Sequence, residues 1–337
     1  MIVNLLTSIL LGLISCLIFR KVSKYFNLVD VPDGVRKTHK GLIPLGGGLA
    51  IAFTFILSVL IYVEVNHFFL VLSLCSLILL FVGLVDDFLA LPISVRLITQ
   101  ILVSWCVIIF TDVYIKDLGD LLGLGNIYLG QLGIPLTIFM VVGVCNAFNM
   151  LDGMDGLVSM ISLMALICLT TILYFNEFNY SWSIALIGGV TTFFLFNLGL
   201  FGKKFQIFLG DSGAMPLGFF LAWVLVSFSQ QPTKAIEPVS AIWVILIPLI
   251  DALSVFYRRL RLGKGIFLGD RNHIHYILLD GGVTKSAALL ILFLISLIGC
   301  LVVLYFSFFP TQPSYLFYGF LTLWVFYLLL TKASLRK

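Results

Sequence analysis

The stretch FFLVLSLCSLILLFVGLVDD (residues 68–87) decides the fold class of this chain. Residues 68–85 carry no charge, and their length and composition are those of a helix that crosses a bilayer. Such a run is too long for a strand of a membrane barrel, and its single glycine is tolerated in membrane helices. The run ends in two adjacent aspartates, so a predicted membrane span is followed directly by a pair of charges.

The whole chain shares the character of this stretch. Of its 337 residues, 61% are hydrophobic and only 11% are charged, with a mean hydropathy of +1.15. Soluble domains carry about 25% charged residues, so this chain has too few to cover a surface in water. The composition excludes a disordered protein, a secreted disulfide scaffold and a soluble nucleic-acid binder. The six cysteines lie in apolar runs without metal-binding spacing.

Apolar runs predict an all-α integral membrane protein with eleven spanning helices in a single polytopic domain over residues 1–337. The predicted spans are 2–19, 45–63, 68–85, 95–111, 133–150, 157–175, 181–199, 213–229, 238–257, 286–307 and 315–331.

The placement of lysine and arginine predicts the orientation. With the N-terminus outside and the C-terminus inside, eighteen of the twenty Lys and Arg residues fall on the inner side of the membrane. Only Lys116 and Lys234 fall on the outer side. We expect the inner loops to carry the functional site, and these are residues 20–44, 86–94, 151–156, 200–212 and 258–285.

Five aspartates recur at the predicted inner ends of the spans: Asp86, Asp87, Asp152, Asp155 and Asp211. A helical bundle brings these ends into one layer, where carboxylates within about 6 Å repel each other unless a cation neutralises them. Hard oxygen ligands suit Mg²⁺ or Mn²⁺, particularly beside substrate phosphates. The layer therefore predicts a metal site that handles phosphate. For the adjacent pair Asp86 and Asp87, the alternative to a metal site is a helix end that is simply exposed to water.

Other polar residues at the same level suggest caps and ligands. Asp211 and Ser212 have the pattern of an N-cap for the helix that follows, and such a helix start also suits an anion. In NAFNMLDGMDGL (146–157) polar residues recur every third position, which is costly at a membrane end without a ligand.

Asp251 lies deeper, and we expect it either to pair with a basic residue in the bundle or to extend to the inner surface.

Two inner loops, residues 20–44 and residues 258–285, supply candidate groups that could bind an anion or a sugar. Positive-inside anchoring is the alternative for the first loop, and a zinc site in the second is disfavoured because further ligands are too scattered. The candidate substrate-binding residues on these loops are Arg36, Lys37, His39, Arg259, Asp270, Arg271, His273 and His275.

Six motifs together resemble the polyprenyl-phosphate N-acetylhexosamine-1-phosphate transferase family of membrane enzymes. Within it the chain is most similar to the WecA-type branch, which transfers GlcNAc-1-phosphate from UDP-GlcNAc to undecaprenyl phosphate. Two departures are Tyr276, where that branch has the last histidine of HIHH, and Ala214, where Ser or Thr is common. The motifs, in the order of the family, are VPDGVRKTHKGLIPLGGG (31–48), GLVDDFLALPIS (83–94), NAFNMLDGMDGL (146–157), NLGLFGKKFQIFLGDSGAMPLGF (197–219), IPLIDALSVFYRRL (247–260) and DRNHIHY (270–276).

The resemblance implies an enzyme of the bacterial inner membrane with a periplasmic N-terminus and a cytoplasmic active site. Its expected role is the first membrane step of a cell-envelope polysaccharide such as O-antigen or enterobacterial common antigen. It implies that Asp211 and Asn149 hold Mg²⁺ and that Phe208 stacks on uracil. The resemblance also implies that Asp152 and Asp155 bind the metal directly or through its ligands. It implies that His273, His275 and Arg271 contact the sugar and diphosphate, and that Arg259 offers another cation. Asp86 and Asp87 are implied to face either the acceptor phosphate or a nearby lysine.

Several alternatives stay open. The same chemistry could use another UDP-N-acetylhexosamine or UDP-MurNAc-pentapeptide. An ion-coupled transporter should carry its ionisable groups near the bilayer midplane. It is disfavoured here because the five aspartates are predicted at the inner ends of the spans. A non-catalytic lipid-binding scaffold is a third class. A homodimer is compatible with the sequence and is not required by it.

Overall fold

The computed structural model describes residues 1–31, 41–232, 234–263, 273–309 and 311–334. Within these residues the chain forms thirteen α-helices and one antiparallel pair of short strands. The strands are β1 (Val29–Asp30) and β2 (Ile43–Pro44). The helices are α1 (Ile2–Tyr25), α2 (Gly47–Tyr62), α3 (His67–Leu89), α4 (Ile93–Thr111), α5 (Gly133–Leu151), α6 (Leu157–Phe175), α7 (Ser181–Asn197), α8 (Asp211–Ser229), α9 (Pro238–Val244), α10 (Leu246–Arg261), α11 (Ile274–Asp280), α12 (Lys285–Phe308) and α13 (Pro313–Ser334).

The fold is a helical membrane bundle, as the apolar runs predict. Among the described residues, eight helices are long and apolar enough to cross a membrane: α1, α3, α4, α5, α6, α8, α12 and α13. The apolar helices α2 and α7 are shorter, with 16 and 17 residues. The pair formed by α9 and α10 passes the same test as one broken span. Each predicted span falls on one of these helices or on this pair, while the number eleven and the orientation stay predictions.

The predicted span 238–257 is broken into two helices. The chain bends by 88° between α9 and α10. Pro248, in the first turn of α10, has no N–H to donate to the carbonyl of Val244, and in a continuous helix its ring would clash with that carbonyl. Val244 is the last residue of α9, so the proline accounts for the end of that helix.

The central element of the bundle is α8. Nearly all its residues are buried, including Phe219 and Trp223, which are fully enclosed. In contrast, α1, α4 and α12 leave leucines exposed, such as Leu6, Leu102 and Leu301. Exposed leucines are stable against lipid tails, which are as apolar as leucine. The helix that begins at Asp211 is therefore the one most completely enclosed by protein.

Two glycines allow neighbouring helices to reach the first turn of α8. A Cβ atom on Gly83 of α3 would lie 2.5 Å from the Cα atom of Ser212. A Cβ atom on Gly48 of α2 would lie 2.5 Å from the backbone nitrogen of Gly213. Backbone atoms cannot move aside as a flexible side chain can, so both contacts require glycine.

The short strands, which the all-α prediction did not include, anchor the segment before α8. Val29 pairs with Pro44, and Asp30 pairs with Ile43. Continuing from this pair, the N–H of Phe208 donates to the carbonyl of Pro44 at 2.8 Å, and the N–H of Gly47 donates to the carbonyl of Phe208 at 2.9 Å. The start of α2 and the approach to α8 are thus joined by backbone hydrogen bonds.

We expect Gly83→Ala to destabilise the protein by about 1–3 kcal/mol, because the added methyl overlaps the backbone of α8. Gly143→Ala on α5 is the matched control, since a Cβ atom there has no neighbour within 4 Å. Alanine favours a helix over glycine by about 1 kcal/mol, so the control should be neutral or stabilising. Thermal unfolding in detergent measures both, and equal midpoints would contradict the proposed overlap.

Candidate active site

Asp87 from α3 caps the N-terminus of α8. Its carboxylate accepts hydrogen bonds from the backbone N–H groups of Asp211 at 2.9 Å and Ser212 at 3.2 Å. The prediction that Asp211 and Ser212 cap this helix is wrong, because Asp211 is already its first residue and Gly210 occupies the cap position. Gly210 has a φ of +72°, and a Cβ atom there would lie 2.6 Å from Oδ2 of Asp87. Only glycine combines this conformation with this contact.

Arg96, in the first turn of α4, joins Asp86 to Asp211. Its Nη1 atom lies 2.7 Å from Oδ2 of Asp86 and 2.9 Å from Oδ2 of Asp211. The other oxygen of Asp86 accepts the N–H of Leu91 at 2.6 Å. Both oxygens of Asp86 are thus engaged, which favours a role in holding Arg96 over a role as general base. Sequence reasoning missed Arg96, whose only signal was a basic residue at the inner end of a predicted span.

The loop between α5 and α6 brings Asp152 to the same place. Burial raises the pKa of Asp152 well above its ordinary value, and the carboxylates of Asp211, Asp87 and Asp155 raise it further. A hydrogen bond from the backbone of Gly210 acts in the opposite direction. The structure therefore brings together the aspartates that the sequence placed in one layer. Like charges held this closely favour a bound cation.

Asn149, in the last turn of α5, provides an unused buried acceptor. Its Oδ1 atom is buried and has no hydrogen-bond partner. Leaving such a group unpaired costs about 1–3 kcal/mol, so this oxygen suits a ligand. Among the described residues, no three His, Cys, Asp or Glu side chains form a ready metal site. Mg²⁺ needs only one or two protein carboxylates when waters and phosphates complete its shell, so Asn149 and Asp211 have the chemistry of candidate ligands for that ion.

Asn197, at the end of α7, links two of the motifs. Its Oδ1 atom accepts the N–H of Gly156 at 2.6 Å, and its Nδ2 atom donates to the carbonyl of Ile207 at 2.9 Å. The loop that carries Asp155 is therefore held beside the segment that carries the half-buried Phe208. A single asparagine has no pattern that distinguishes it in the sequence, and this residue was missed.

His273 and His275 lie at the start of α11, against the same loop. Their ring centroids are 6.0 Å apart and their planes differ by 9°. A Cβ atom on Gly153 would lie 2.6 Å from Nε2 of His275, so the imidazole contacts the backbone next to Asp152. Two motifs more than 100 residues apart in the sequence thus meet at the aspartate layer.

Asp251 pairs within the bundle, which was one of the two outcomes left open. Its buried carboxylate accepts from Nδ1 of His273 at 2.7 Å and from the N–H of Ile274 at 2.7 Å. The alternative, extension to the inner surface, is wrong. Arg259 is also buried, two turns further along α10.

The remaining predicted contacts could not be placed. Five predicted substrate-binding residues lie outside the described residues: Arg36, Lys37, His39, Asp270 and Arg271. The roles of the located residues toward substrates and metal stay predictions, although the structure brings their side chains to one end of the bundle.

Comparison with known proteins gives consistent matches. The family description glycosyl transferase family 4 matches residues 69–229. The undecaprenyl-phosphate alpha-N-acetylglucosaminyl 1-phosphate transferase of Escherichia coli K12 is 36% identical over 81% of this chain and 75% of its own length. The protein of the same name from Yersinia pestis is 34% identical over the same shares. That from Pasteurella multocida is 32% identical over 97% of this chain and 92% of its own length.

We expect Arg96→Gln to lower the thermal midpoint of the protein in detergent by several degrees. The substitution leaves the carboxylates of Asp86 and Asp211 without their shared cation, and breaking a partly buried ion pair leaves uncompensated charge. Lys203→Gln is the control, because it removes one positive charge from an exposed side chain near the start of α8. Equal midpoints for the two variants would show that the bridge contributes nothing to stability.

Proposed function

The chain belongs to glycosyl transferase family 4, and we propose that it transfers GlcNAc-1-phosphate from UDP-GlcNAc to undecaprenyl phosphate. An oxygen of the lipid phosphate attacks the β-phosphorus of the donor, the bond from that phosphorus to the bridging oxygen breaks, and UMP leaves. The names of the relatives support the substrates. The observation that carries the proposal is the aspartate layer around the N-terminus of α8, at one end of an apolar bundle.

The main obstacle in this reaction is charge, because donor and acceptor are both anions. The residues of this chain address it by position and electrostatics, as in other phosphoryl transfers. Arg96 lies at the aspartate layer, and His275 lies against Gly153 beside it. Bound Mg²⁺, held by Asp211 and Asn149, would neutralise charge on the diphosphate.

A strong general base is not required. A phosphate monoester is already mostly ionised near neutral pH, so its oxygen can attack without losing a proton to the protein. This agrees with the geometry of Asp86, whose two oxygens accept from Arg96 and Leu91. We therefore assign Asp86 to holding Arg96 and Asp87 to holding α8.

An apolar groove supports a lipid acceptor. The groove lies between α2, α3 and α8 and encloses a cavity of about 220 Å³. It begins at Ser212 and Gly213, beside the aspartate layer, and extends along the bundle to Leu60 and Val65. Its walls are otherwise mainly aliphatic and aromatic, a surface suited to part of a prenyl chain. A phosphate at its inner end would reach the first turn of α8.

The arrangement also favours transfer chemistry over ion-coupled transport. The aspartates gather at one end of the bundle, and the deeper Asp251 is engaged by His273 and Ile274. We place the aspartate end at the cytoplasmic face of the bacterial inner membrane, with the N-terminus in the periplasm, because nucleotide sugars are cytosolic and most basic residues lie on the predicted inner side.

The test of the reaction is UMP release by purified protein with Mg²⁺, undecaprenyl phosphate and UDP-GlcNAc, UDP-GalNAc or UDP-MurNAc-pentapeptide. We expect release with UDP-GlcNAc and a loss of about a thousandfold for Asp211→Ala. Asp112→Asn is the control, since this exposed aspartate pairs with Lys116 at the other end of α4. No UMP from any donor would refute the proposed function.

The test of the groove is Ala52→Trp, which fills it midway along α2. We expect the KM for undecaprenyl phosphate to rise about tenfold. This corresponds to roughly two CH₂ groups of the lipid that are no longer buried, at about 0.8 kcal/mol each. The KM for a short-chain prenyl phosphate should not change. Leu102→Trp, on the exposed face of α4 outside the groove, is the control. Equal effects of the two variants on long and short acceptors would place the lipid elsewhere.

A further inference from the structure

Asp251 is the one buried carboxylate of α10, and the proposed reaction gives it no role. It belongs to the broken span, and its exposed fraction is 1%. A buried charge in a membrane bundle is costly unless it is paired and hydrogen-bonded, so residues of this kind commonly serve function.

The contacts of this carboxylate converge on the two histidines. Its Oδ2 atom lies 2.7 Å from Nδ1 of His273, and its Oδ1 atom accepts the N–H of Ile274 at 2.7 Å. The second contact holds the first residue of α11, the helix that carries His275. The hydroxyl of Tyr327 on α13 donates to the same Oδ1 atom at 3.3 Å. One carboxylate therefore fixes both the ring of His273 and the start of the helix beside it.

The hydrogen bond at one ring nitrogen decides what the other can do. Because a carboxylate only accepts, Nδ1 of His273 must carry a proton toward Asp251. In a neutral ring Nε2 is then the acceptor, and in a protonated ring Nε2 donates while the carboxylate balances the charge. The nearly parallel ring of His275 lies against Gly153, next to Asp152. His273 and His275 flank Ile274, so the carboxylate that holds His273 and Ile274 also helps to place His275 beside the aspartate layer.

We propose that Asp251 is a positioning residue for the nucleotide-sugar donor, acting through His273. It sets the tautomer and orientation of that imidazole and places α11 against the loop at Asp152. This inference rests on the proposed function and deepens it, because it assigns a buried residue of the broken span to the donor side of the reaction and not to the lipid side.

The first test is steady-state kinetics of Asp251→Asn. The amide oxygen can still accept the N–H of Ile274, but its NH₂ group now faces His273 and reverses the tautomer. We expect kcat/KM for UDP-GlcNAc to fall about ten- to hundredfold, the size found for partners that orient ligating histidines, with the KM for undecaprenyl phosphate unchanged. Trp324→Phe is the control, since it removes a hydrogen bond from α13 to Ser254 without touching the carboxylate of Asp251.

A double-mutant cycle separates positioning from general stability. If Asp251 acts through His273, the double variant Asp251→Asn with His273→Gln should lose no more activity than His273→Gln alone. Losses that multiply would overturn the inference. Should Asp251→Asn fail to fold, Asp251→Glu keeps the carboxylate and displaces it by one methylene, and it should show the same donor-specific loss.

The outcomes distinguish this inference from the proposed function. An active wild type with unaltered donor kinetics in a folded Asp251 variant overturns the inference alone. A wild type that releases no UMP from any donor overturns the proposed function, and the inference falls with it.

Discussion

The N-terminal turn of α8 is held by a carboxylate from another helix, and the site is arranged around that contact. Asp87 accepts the first two N–H groups of α8, while Arg96 holds the side chain of Asp211 against Asp86. The negative charge of Asp87 thereby balances the positive end of a largely buried helix. Such a helix start both needs a negative partner and can stabilise an anionic substrate beside it.

The carboxylates gather at one end of the bundle because the rest of the bundle is apolar. With 11% charged residues, the bundle cannot spread carboxylates along its helices without heavy desolvation. Asp86 and Asp211 instead share Arg96, and burial together with the neighbouring carboxylates raises the pKa of Asp152. The unpaired oxygen of Asn149 adds an acceptor at the same level. The arrangement is suited to reactants that bring their own negative charge and a divalent cation.

Much of the site could be predicted because its residues lie at the ends of apolar runs. Asp86, Asp87 and Asp152 follow such runs directly, and helix ends of a bundle necessarily meet in a layer. Arg96 and Asn197 could not be predicted in the same way. Each is a single residue whose importance comes from partners distant in sequence, Asp86 and Asp211 for the arginine, and the backbone at 156 and 207 for the asparagine.

Hydrophobic length in the sequence alone determined that this is a helical membrane protein, and charge placement predicted a phosphate-handling site at one end. These properties are local, so they can be read without knowing which helices touch. Only the tertiary structure decided that Asp87, and not the helix's own residues, caps α8, that Pro248 breaks a span, and that Asp251 faces His273. Those outcomes depend on close approaches between distant segments, where glycines such as Gly83 and Gly210 leave the room that a side chain would fill.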